Sequence, residues 1–92
     1  MNAENWSVYL ILCENGALYC GISNRPQERF AAHLVGKGAK YTRLNKPAAM
    51  RIVSDGLSKS EALKREIAIK KLTVGKKWEL WEAAAGNASL GR

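Results

Sequence analysis

Two short apolar runs separated by a turn signal constrain the fold of this chain more than any other feature. The runs are WSVYLILC (6–13) and ALYCGIS (17–23), and both are rich in residues that favour strands. Between them lies Glu14-Asn15-Gly16, and an Asn-Gly pair flanked by apolar runs is a strong hairpin signal. The sequence therefore predicts an antiparallel β-hairpin at this position.

The length of the turn decides which side chains of the hairpin share a face. A two-residue turn would pair Leu12 with Tyr19 and place Tyr9 and Tyr19 on opposite faces. A three-residue loop that ends in a left-handed Gly16, with its bulge, would instead pair Ile11 with Tyr19. Tyr9 and Tyr19 would then point the same way. The local pattern does not choose between these two registers.

The pattern changes from strand to helix after the hairpin. Pro26 suits the first position of a helix, which should run to the next glycine. The segment 36–46 contains glycines, is strongly basic and lacks periodicity, so we expect a surface loop there. Residues 48–54 are predicted as a short third strand, with a turn at Asp55-Gly56 after it.

A capping box predicts where the next helix begins. Ser58 is followed three residues later by Glu61, so each side chain can satisfy a backbone group of the other residue. This helix should run over about 59–73. A last helix is expected over about 76–85, and the remaining residues, 86–92, are expected to form a frayed tail.

The predicted order β-β-α-β-α-α is typical of an α+β fold. Its natural arrangement is a small three-stranded antiparallel sheet flanked by helices. The 92 residues show no internal repeat and no low-complexity tract. We therefore expect one domain over 1–92, with its core in about 6–73.

The charge of the chain indicates the class of its partner. Fifteen Lys and Arg residues stand against eight Asp and Glu residues, which gives a formal net charge of +7. In a small domain this excess attracts polyanions, nucleic acid above all. No apolar run reaches the roughly 18 residues that a membrane span requires, and no segment combines a long apolar face with a basic one. We expect no membrane partner.

The cysteine pattern excludes a zinc site and indicates a reducing compartment. Cys13 and Cys20, with His33, are too few to form a zinc-binding pattern. The N-terminal residues lack the basic region and cleavage site of a signal peptide. The sequence therefore predicts a cytoplasmic protein in which both cysteines are small core residues.

Three groups of residues could carry chemistry, and each also has a simpler structural interpretation. Glu66 borders the apolar stripe of its helix, where a nearby Lys or Arg or a divalent cation could compensate its charge. Arg29 and His33, four residues apart, form either a solvated helix face or a pair suited to phosphodiester chemistry. Tyr9 and Tyr19 are either packing residues or, on a shared face, candidates for activating water.

Together these residues resemble the signature of the GIY-YIG nuclease family. The segments SVYL (7–10) and LYCGI (18–22) are similar to the two halves of the motif that names the family. The resemblance covers about 6–72 and is closest to the small stand-alone bacterial members. Three further elements follow in the family's order: Arg29 and His33 on one helix, the basic stretch GKGAKYT (36–42), and ALKRE (62–66), which ends in Glu66.

The resemblance implies a role for each of these residues. Tyr9 and Tyr19 would share a sheet face, which selects the hairpin with the three-residue loop. One of them would activate the attacking water, with His33 as proton relay. Arg29 would stabilise the charge that develops on the scissile phosphate. Glu66 would hold a single Mg²⁺ or Mn²⁺ ion.

The basic stretch is expected to contact DNA. Lys37, Lys40, Tyr41 and Arg43 would track its backbone, a contact mode that gives affinity but little base specificity. Larger family members attach a further DNA-reading or partner-binding domain, which this chain lacks, so sequence-specific cleavage is not expected unless the domain dimerises or recruits a partner. We expect a monomer or weak dimer. Many members also place a polar residue after the glutamate helix. Here only Asn87, in the expected tail, could match it, and no role is assigned to it.

The sequence therefore predicts a metal-dependent DNA endonuclease that hydrolyses phosphodiester bonds with weak sequence specificity. Single-stranded or branched DNA is the expected preference over duplex DNA, because a small basic domain contacts an accessible backbone most easily. A catalytically silent nucleic-acid-binding module of the same fold is the alternative. A protein-interaction domain using Trp78 and Trp81 competes with the simpler expectation that these residues pack the last helix onto the core.

Overall fold

A computed structural model of the protein describes residues 5–38, 40–86 and 89–91. None of the helices in this part of the chain is long and apolar enough to cross a membrane. The elements, in chain order, are β1 (Trp6–Cys13), β2 (Leu18–Ser23), α1 (Pro26–Leu34), α2 (Lys40–Leu44), β3 (Pro47–Leu57), α3 (Lys59–Lys70), α4 (Val74–Ala83), a 3-10 turn (Ala84–Gly86) and β4 (Ser89–Gly91).

The strands form one antiparallel sheet in the order β2-β1-β3-β4. Its first three strands are the sheet that the sequence predicts, and the α+β fold class is confirmed. The sequence does not predict β4, which falls within the segment expected to be a frayed tail. β4 pairs with residues 49–51 of β3, whose edge would otherwise present unpaired backbone groups. Asn87 lies outside the described residues.

The hairpin between β1 and β2 uses the three-residue loop. The N–H of Gly16 donates to the carbonyl of Cys13 (2.9 Å), and Gly16 has a φ of 87°. A residue without a Cβ adopts this left-handed conformation most easily. Ile11 therefore pairs with Tyr19, the register that the family resemblance selects. Tyr9 and Tyr19 lie on the same face of the sheet.

The Asp55-Gly56 segment, predicted as a turn, lies inside β3. Trp6 pairs with Leu57 and Val8 pairs with Ser54, so β3 has two residues between these pairs where β1 has one. The extra residue makes a β-bulge. Gly56 has a φ of 68° at this bulge. The turn prediction is wrong. The Asp-Gly pair misled it, because this bulge places a glycine in the left-handed region just as a turn does.

Both faces of the sheet are covered, and successive residues of β1 contribute to two different cores. On the face covered by α3 and α4, the buried residues are Val8, Leu10, Cys20, Ala62, Ile69 and Trp81. On the opposite face, which α1 covers, they are Tyr9, Ile11, Cys13, Phe30, Met50 and Ile52, with Tyr19 packed against them. The predicted tyrosines therefore lie in the layer between the sheet and α1.

The two cysteines are free and buried, as the sequence predicts. Cys13 belongs to the core beneath α1, and Cys20 belongs to the core beneath α3 and α4. The sheet thus separates the two thiols, and both fill small apolar positions.

Polar side chains set the limits of α3 and α4. The predicted capping box is present, since Ser58 Oγ accepts from the N–H of Glu61 (3.1 Å) and the Glu61 carboxylate accepts from the N–H of Ser58 (2.9 Å). α3 ends at Lys70, earlier than expected, because Thr73 begins α4. Its hydroxyl accepts from the N–H of Lys76 (3.2 Å).

The last helix packs onto the sheet through its aromatic residues, which confirms the simpler interpretation of the tryptophans. Trp81 is buried, with Trp78 and Leu80 partly buried beside it. Arg51 of β3 donates to the backbone carbonyl of Trp81 (2.9 Å) and lies 4.3 Å from the centroid of its ring. This contact combines a hydrogen bond with a cation–π interaction.

The segment 36–46, predicted as a surface loop, contains the helix α2. Five residues are too few for a helical period to show in the sequence. Lys40 and Arg43 are exposed, whereas Thr42 between them is 2% exposed. Thr42 therefore faces inward and holds α2 against the protein.

We predict opposite effects for two Gly→Ala substitutions. Gly16→Ala should lower the free energy of unfolding by about 1 kcal/mol, because alanine is strained in the left-handed region. Gly75 lies in α4 without a positive φ, and a Cβ added there would meet no other atom within 4 Å. Gly75→Ala should therefore raise the free energy of unfolding by about 0.5 kcal/mol. Urea unfolding measures both, and equal effects would contradict the assigned turn.

Candidate active site

A tyrosine and the one histidine of the chain form a polar pair buried between the sheet and α1. Tyr9 and His33 are each 1% exposed. The hydroxyl oxygen of Tyr9 lies 3.2 Å from His33 Nε2, within hydrogen-bond distance. Phe30, one turn before His33, is also buried, so α1 turns this side toward the sheet. A strand and a helix that the sequence predicts therefore hold the pair.

Thr42 of α2 contacts the other ring nitrogen of this histidine. Its hydroxyl oxygen lies 2.6 Å from His33 Nδ1, and both side chains are buried. Sequence reasoning missed Thr42, because it assigned the whole basic segment to DNA contact. No local pattern points to this residue, since its partner is nine positions away on another element.

Burial fixes the protonation of the pair at neutral pH. It raises the pKa of Tyr9 to about 12, although the nearby positive charge of Arg29 acts in the opposite direction. Burial also lowers the pKa of His33 to about 4, and the charge of Arg29 adds to this effect. The folded protein therefore places a protonated phenol next to a neutral imidazole.

Arg29 lies beside this pair and also reaches the surface. It is half-buried and close enough to Tyr9 to lower the pKa of the phenol. It also lines an open depression together with Ser23, Asn24 and Arg25. A guanidinium group has five donors in a fixed plane, so Arg29 can contact Tyr9 and an anion in the depression at once.

Tyr19 of the edge strand β2 completes the cluster. Its ring centroid lies 5.7 Å from that of His33, with 61° between the ring planes. Lys70 approaches Tyr19 from α3, on the other face of the sheet, with Nζ 5.5 Å from the ring centroid. The structure thus brings together four of the five predicted catalytic residues: Tyr9, Tyr19, Arg29 and His33.

Glu66, the fifth residue, joins the cluster only through Lys70. Its carboxylate lies 3.3 Å from Lys70 Nζ, and its side chain is 18% exposed. Of the two ways in which the sequence could compensate this charge, the structure shows the ion pair. Lys70, and neither Lys64 nor Arg65, is the basic residue that pairs with Glu66. Arg65 instead donates to Ser54 (2.8 Å).

The chemistry of the donor set limits which metal Glu66 could hold. Within the described residues, no group of three or more His, Cys, Asp or Glu side chains could enclose a metal ion. Mg²⁺ is commonly bound by one or two carboxylates, with water and phosphate oxygens as its other ligands. A single half-buried carboxylate fits such a shared ion, and it does not fit a metal enclosed by protein alone.

Two glycines allow the backbone to approach the rings of the cluster. A Cβ at position 21 would lie 2.6 Å from Tyr9 Cζ, and a Cβ at position 38 would lie 2.7 Å from His33 Cγ. Both distances are far below the roughly 3.5 Å of a favourable carbon contact. Gly21 and Gly38 are therefore required by the close packing around Tyr9 and His33.

The residues predicted to contact DNA lie on or next to α2. Lys37, Lys40 and Arg43 are exposed, so their charges are available to a partner. Tyr41 belongs to α2, but its side chain lies outside the described part of the structure. α2 therefore presents two positive side chains to solvent while Thr42 faces the histidine.

Comparisons with known proteins place this fold in a family. The family model described as the GIY-YIG catalytic domain matches residues 5–77. A UPF0213 protein of Neisseria meningitidis is 68% identical over 84 residues, which are 91% of this chain and 92% of that protein. A UPF0213 protein of Pseudomonas aeruginosa is 52% identical over 68 residues, 74% of this chain and 65% of that protein. The solution NMR structure of an E. faecalis protein, 32% identical, covers 90% of both chains with a TM-score of 0.53.

We predict that the single histidine makes stability depend on pH. The unfolded chain binds a proton on His33 near pH 6.5, whereas the folded protein resists protonation until about pH 4. Stability is therefore lost as the pH falls through this window. Between about pH 8 and about pH 5, the free energy of unfolding should decrease by about 2 kcal/mol from this group.

Urea unfolding at a series of pH values measures this dependence. His33→Gln is the matched control, because it keeps a polar side chain but cannot titrate in this range. A pH dependence of equal size in His33→Gln would show that other groups cause it.

Proposed function

The chain belongs to the GIY-YIG catalytic domain family, and we propose on that basis that it is a metal-dependent endonuclease that hydrolyses phosphodiester bonds in DNA. The observation that carries this proposal is the buried hydrogen bond between Tyr9 and His33. Burying such a pair costs free energy, and perturbed titratable groups are concentrated at functional sites. The adjacent Arg29 supplies the cation that a reacting phosphate needs.

The protonation states of the cluster suggest the direction of proton transfer. A water molecule at the Tyr9 hydroxyl would give a proton to the phenol oxygen while the phenol gives its own proton to His33 Nε2. This exchange needs no free phenolate, which a pKa of about 12 makes rare at neutral pH. Because Tyr9 is 1% exposed, a water molecule would reach its hydroxyl only if neighbouring side chains moved, and Arg29 and Tyr19 are the half-buried neighbours.

The depression beside Arg29 is the proposed position of the scissile phosphate. Arg25 and Arg29 both line it, Asn24 and Ser23 add polar groups, and the carboxylate of Glu28, also in the lining, lies 3.6 Å from Arg25. A guanidinium group binds phosphate oxygens through paired hydrogen bonds. With the phosphate in this position, Arg29 would stabilise negative charge as it develops and would remain next to Tyr9.

Glu66 is the proposed ligand of one Mg²⁺ or Mn²⁺ ion. When bound, such an ion polarises the phosphate and stabilises the leaving oxygen. Lys70 pairs with one carboxylate oxygen of Glu66 (3.3 Å), and a carboxylate has two oxygens, so Glu66 could accept a metal while Lys70 stays beside it. Lys70 would then remain close to Tyr19, the other group that it contacts.

The exposed basic residues support DNA as the substrate. Lys37, Lys40 and Arg43 would contact the phosphate backbone, which carries no base information. Weak sequence specificity follows. Single-stranded or branched DNA is the proposed preference, because its backbone bends into a shallow site more easily than that of a duplex.

The Glu66–Lys70 ion pair favours a second candidate function. It occupies the carboxylate that would hold the metal, as expected for a catalytically silent module that binds nucleic acid through its basic residues. Such a module would bind DNA equally well with and without divalent metal. Strand cleavage therefore distinguishes the two functions.

We predict that cleavage requires Glu66 and a divalent metal. Single-stranded DNA, linear duplex and supercoiled plasmid would be incubated with the protein in Mg²⁺, Mn²⁺ or EDTA. Glu66→Gln should reduce metal-dependent cleavage by roughly 100-fold or more, because the metal stabilises the transition state by several kcal/mol. DNA binding in EDTA should be unchanged.

Glu79→Gln is the matched control, since Glu79 is an exposed carboxylate on α4. It should cleave like the wild type. The silent-module function would be favoured if no substrate were cut in any metal and both variants bound DNA like the wild type. Equal rates on intact duplex and single strands would exclude the proposed substrate preference.

We predict a further effect on the salt dependence of binding. Lys37→Ala, Lys40→Ala and Arg43→Ala should each reduce the slope of log affinity against log salt by about one, because each removes one phosphate contact. Lys64→Ala, an exposed change on α3, should leave the slope unchanged. Fluorescence anisotropy with a labelled single strand measures the slopes, and equal slopes in all four variants would exclude α2 as the DNA-binding element.

A further inference from the structure

The hydrogen bonds around His33 determine which of its two ring nitrogens carries the proton. A neutral imidazole has one N–H donor and one acceptor nitrogen. Both nitrogens of His33 have a hydroxyl partner: Tyr9 lies 3.2 Å from Nε2, and Thr42 lies 2.6 Å from Nδ1. A hydroxyl can donate or accept, so these distances alone permit both tautomers.

The burial of Tyr9 removes this ambiguity. The phenol keeps its own proton and, at 1% exposure, needs a buried acceptor for it. His33 Nε2 lies within hydrogen-bond distance of the phenol oxygen (3.2 Å) and can accept this proton only when it carries none of its own. If His33 Nε2 carried a proton, it would donate to the phenol oxygen, and the phenol proton would have to find another acceptor.

We propose that Thr42 is a positioning residue, whose hydroxyl oxygen accepts the Nδ1–H of His33 and so leaves the Nε2 lone pair directed at the Tyr9 hydroxyl. The functional consequence rests on the proposed nuclease activity, in which Nε2 must accept the phenol proton. In that step the Tyr9 O–H bond breaks and an Nε2–H bond forms, while the phenol oxygen takes a proton from the attacking water. The Nδ1–H bond to Thr42 stays intact and stabilises the imidazolium.

The packing around Thr42 explains how a five-residue helix can fix a ring. Thr42 is 2% exposed, so bulk water does not compete for Nδ1. The backbone of Gly38 meets the same side of the imidazole, since a Cβ at this position would lie 2.7 Å from Cγ. The ring is therefore held between Tyr9 on one side and the segment containing Gly38 and Thr42 on the other.

The first experiment reads the tautomer directly and needs no cleavage. The chain contains one histidine, so its ring ¹⁵N signals are assigned without ambiguity. Long-range ¹H–¹⁵N NMR spectra at neutral pH should show the Nδ1–H tautomer in the wild type. The Nε2–H tautomer in the wild type would overturn the proposal, whether or not the protein is a nuclease.

The second experiment varies Thr42. Thr42→Val has nearly the same shape but no hydroxyl, and it should shift the population toward the Nε2–H tautomer. Thr42→Ser, which restores the hydroxyl, should restore the Nδ1–H signal. An unchanged Nδ1–H tautomer in a folded Thr42→Val would overturn the proposal. If Thr42→Val does not fold, the tautomer in the wild-type spectrum still tests the proposal.

The third experiment connects the tautomer to catalysis. With the substrate that the wild type cuts best, Thr42→Val should lower kcat by at least about tenfold with little change in KM, because substrate contacts stay in place. Thr42→Ser should recover most of kcat. A shifted tautomer with an unchanged kcat would overturn the catalytic role of Thr42. If the wild type cuts nothing, the nuclease proposal fails, while the NMR result still decides the role of Thr42 in the fold.

Discussion

The hydrogen bond between Tyr9 and His33 joins the central strand to the first helix, in a layer made mostly of apolar residues. Burying a phenol and an imidazole costs free energy unless their polar atoms have partners. Among the described residues, no buried side-chain nitrogen or oxygen lacks a hydrogen-bond partner. Meeting this condition requires the three-residue loop of the hairpin, α1 against the sheet and Thr42 against α1. The fold and the site therefore depend on the same contacts.

Local signals in the sequence are sufficient where structure depends on neighbouring residues. The hairpin, the helix after Pro26 and the capping box at Ser58 are all predicted and confirmed. The local pattern does not decide the register of the hairpin, which only the family resemblance selects. Prediction fails for Gly56, because a bulge resembles a turn in sequence. It fails for Thr42, because a helix of five residues leaves no periodic pattern. Prediction also misses β4, because this strand depends on pairing with β3, which is distant in the sequence.

The position of Glu66 shows how a sheet with two covered faces can assemble one site. Glu66 and Lys70 extend from the helix on one face, whereas Tyr19 and His33 lie on the other. Lys70 connects them at the edge strand β2, where no further strand of the described chain blocks the way. The sequence indicates both possible partners of Glu66, a basic residue and a cation. It cannot rank them, because the choice depends on the distance between two side chains and on what else is bound.

The two cysteines give each face of the sheet its own chemical reporter. Cys13, 2% exposed, lies in the layer that contains His33, and Cys20, 3% exposed, lies in the layer beneath α3. A buried thiol reacts with a labelling reagent only when its surroundings open. The labelling rate of each cysteine therefore measures how often its own layer opens. Rates that still differ after correction for the reactivity of each thiol in the unfolded chain would show that the two layers open separately.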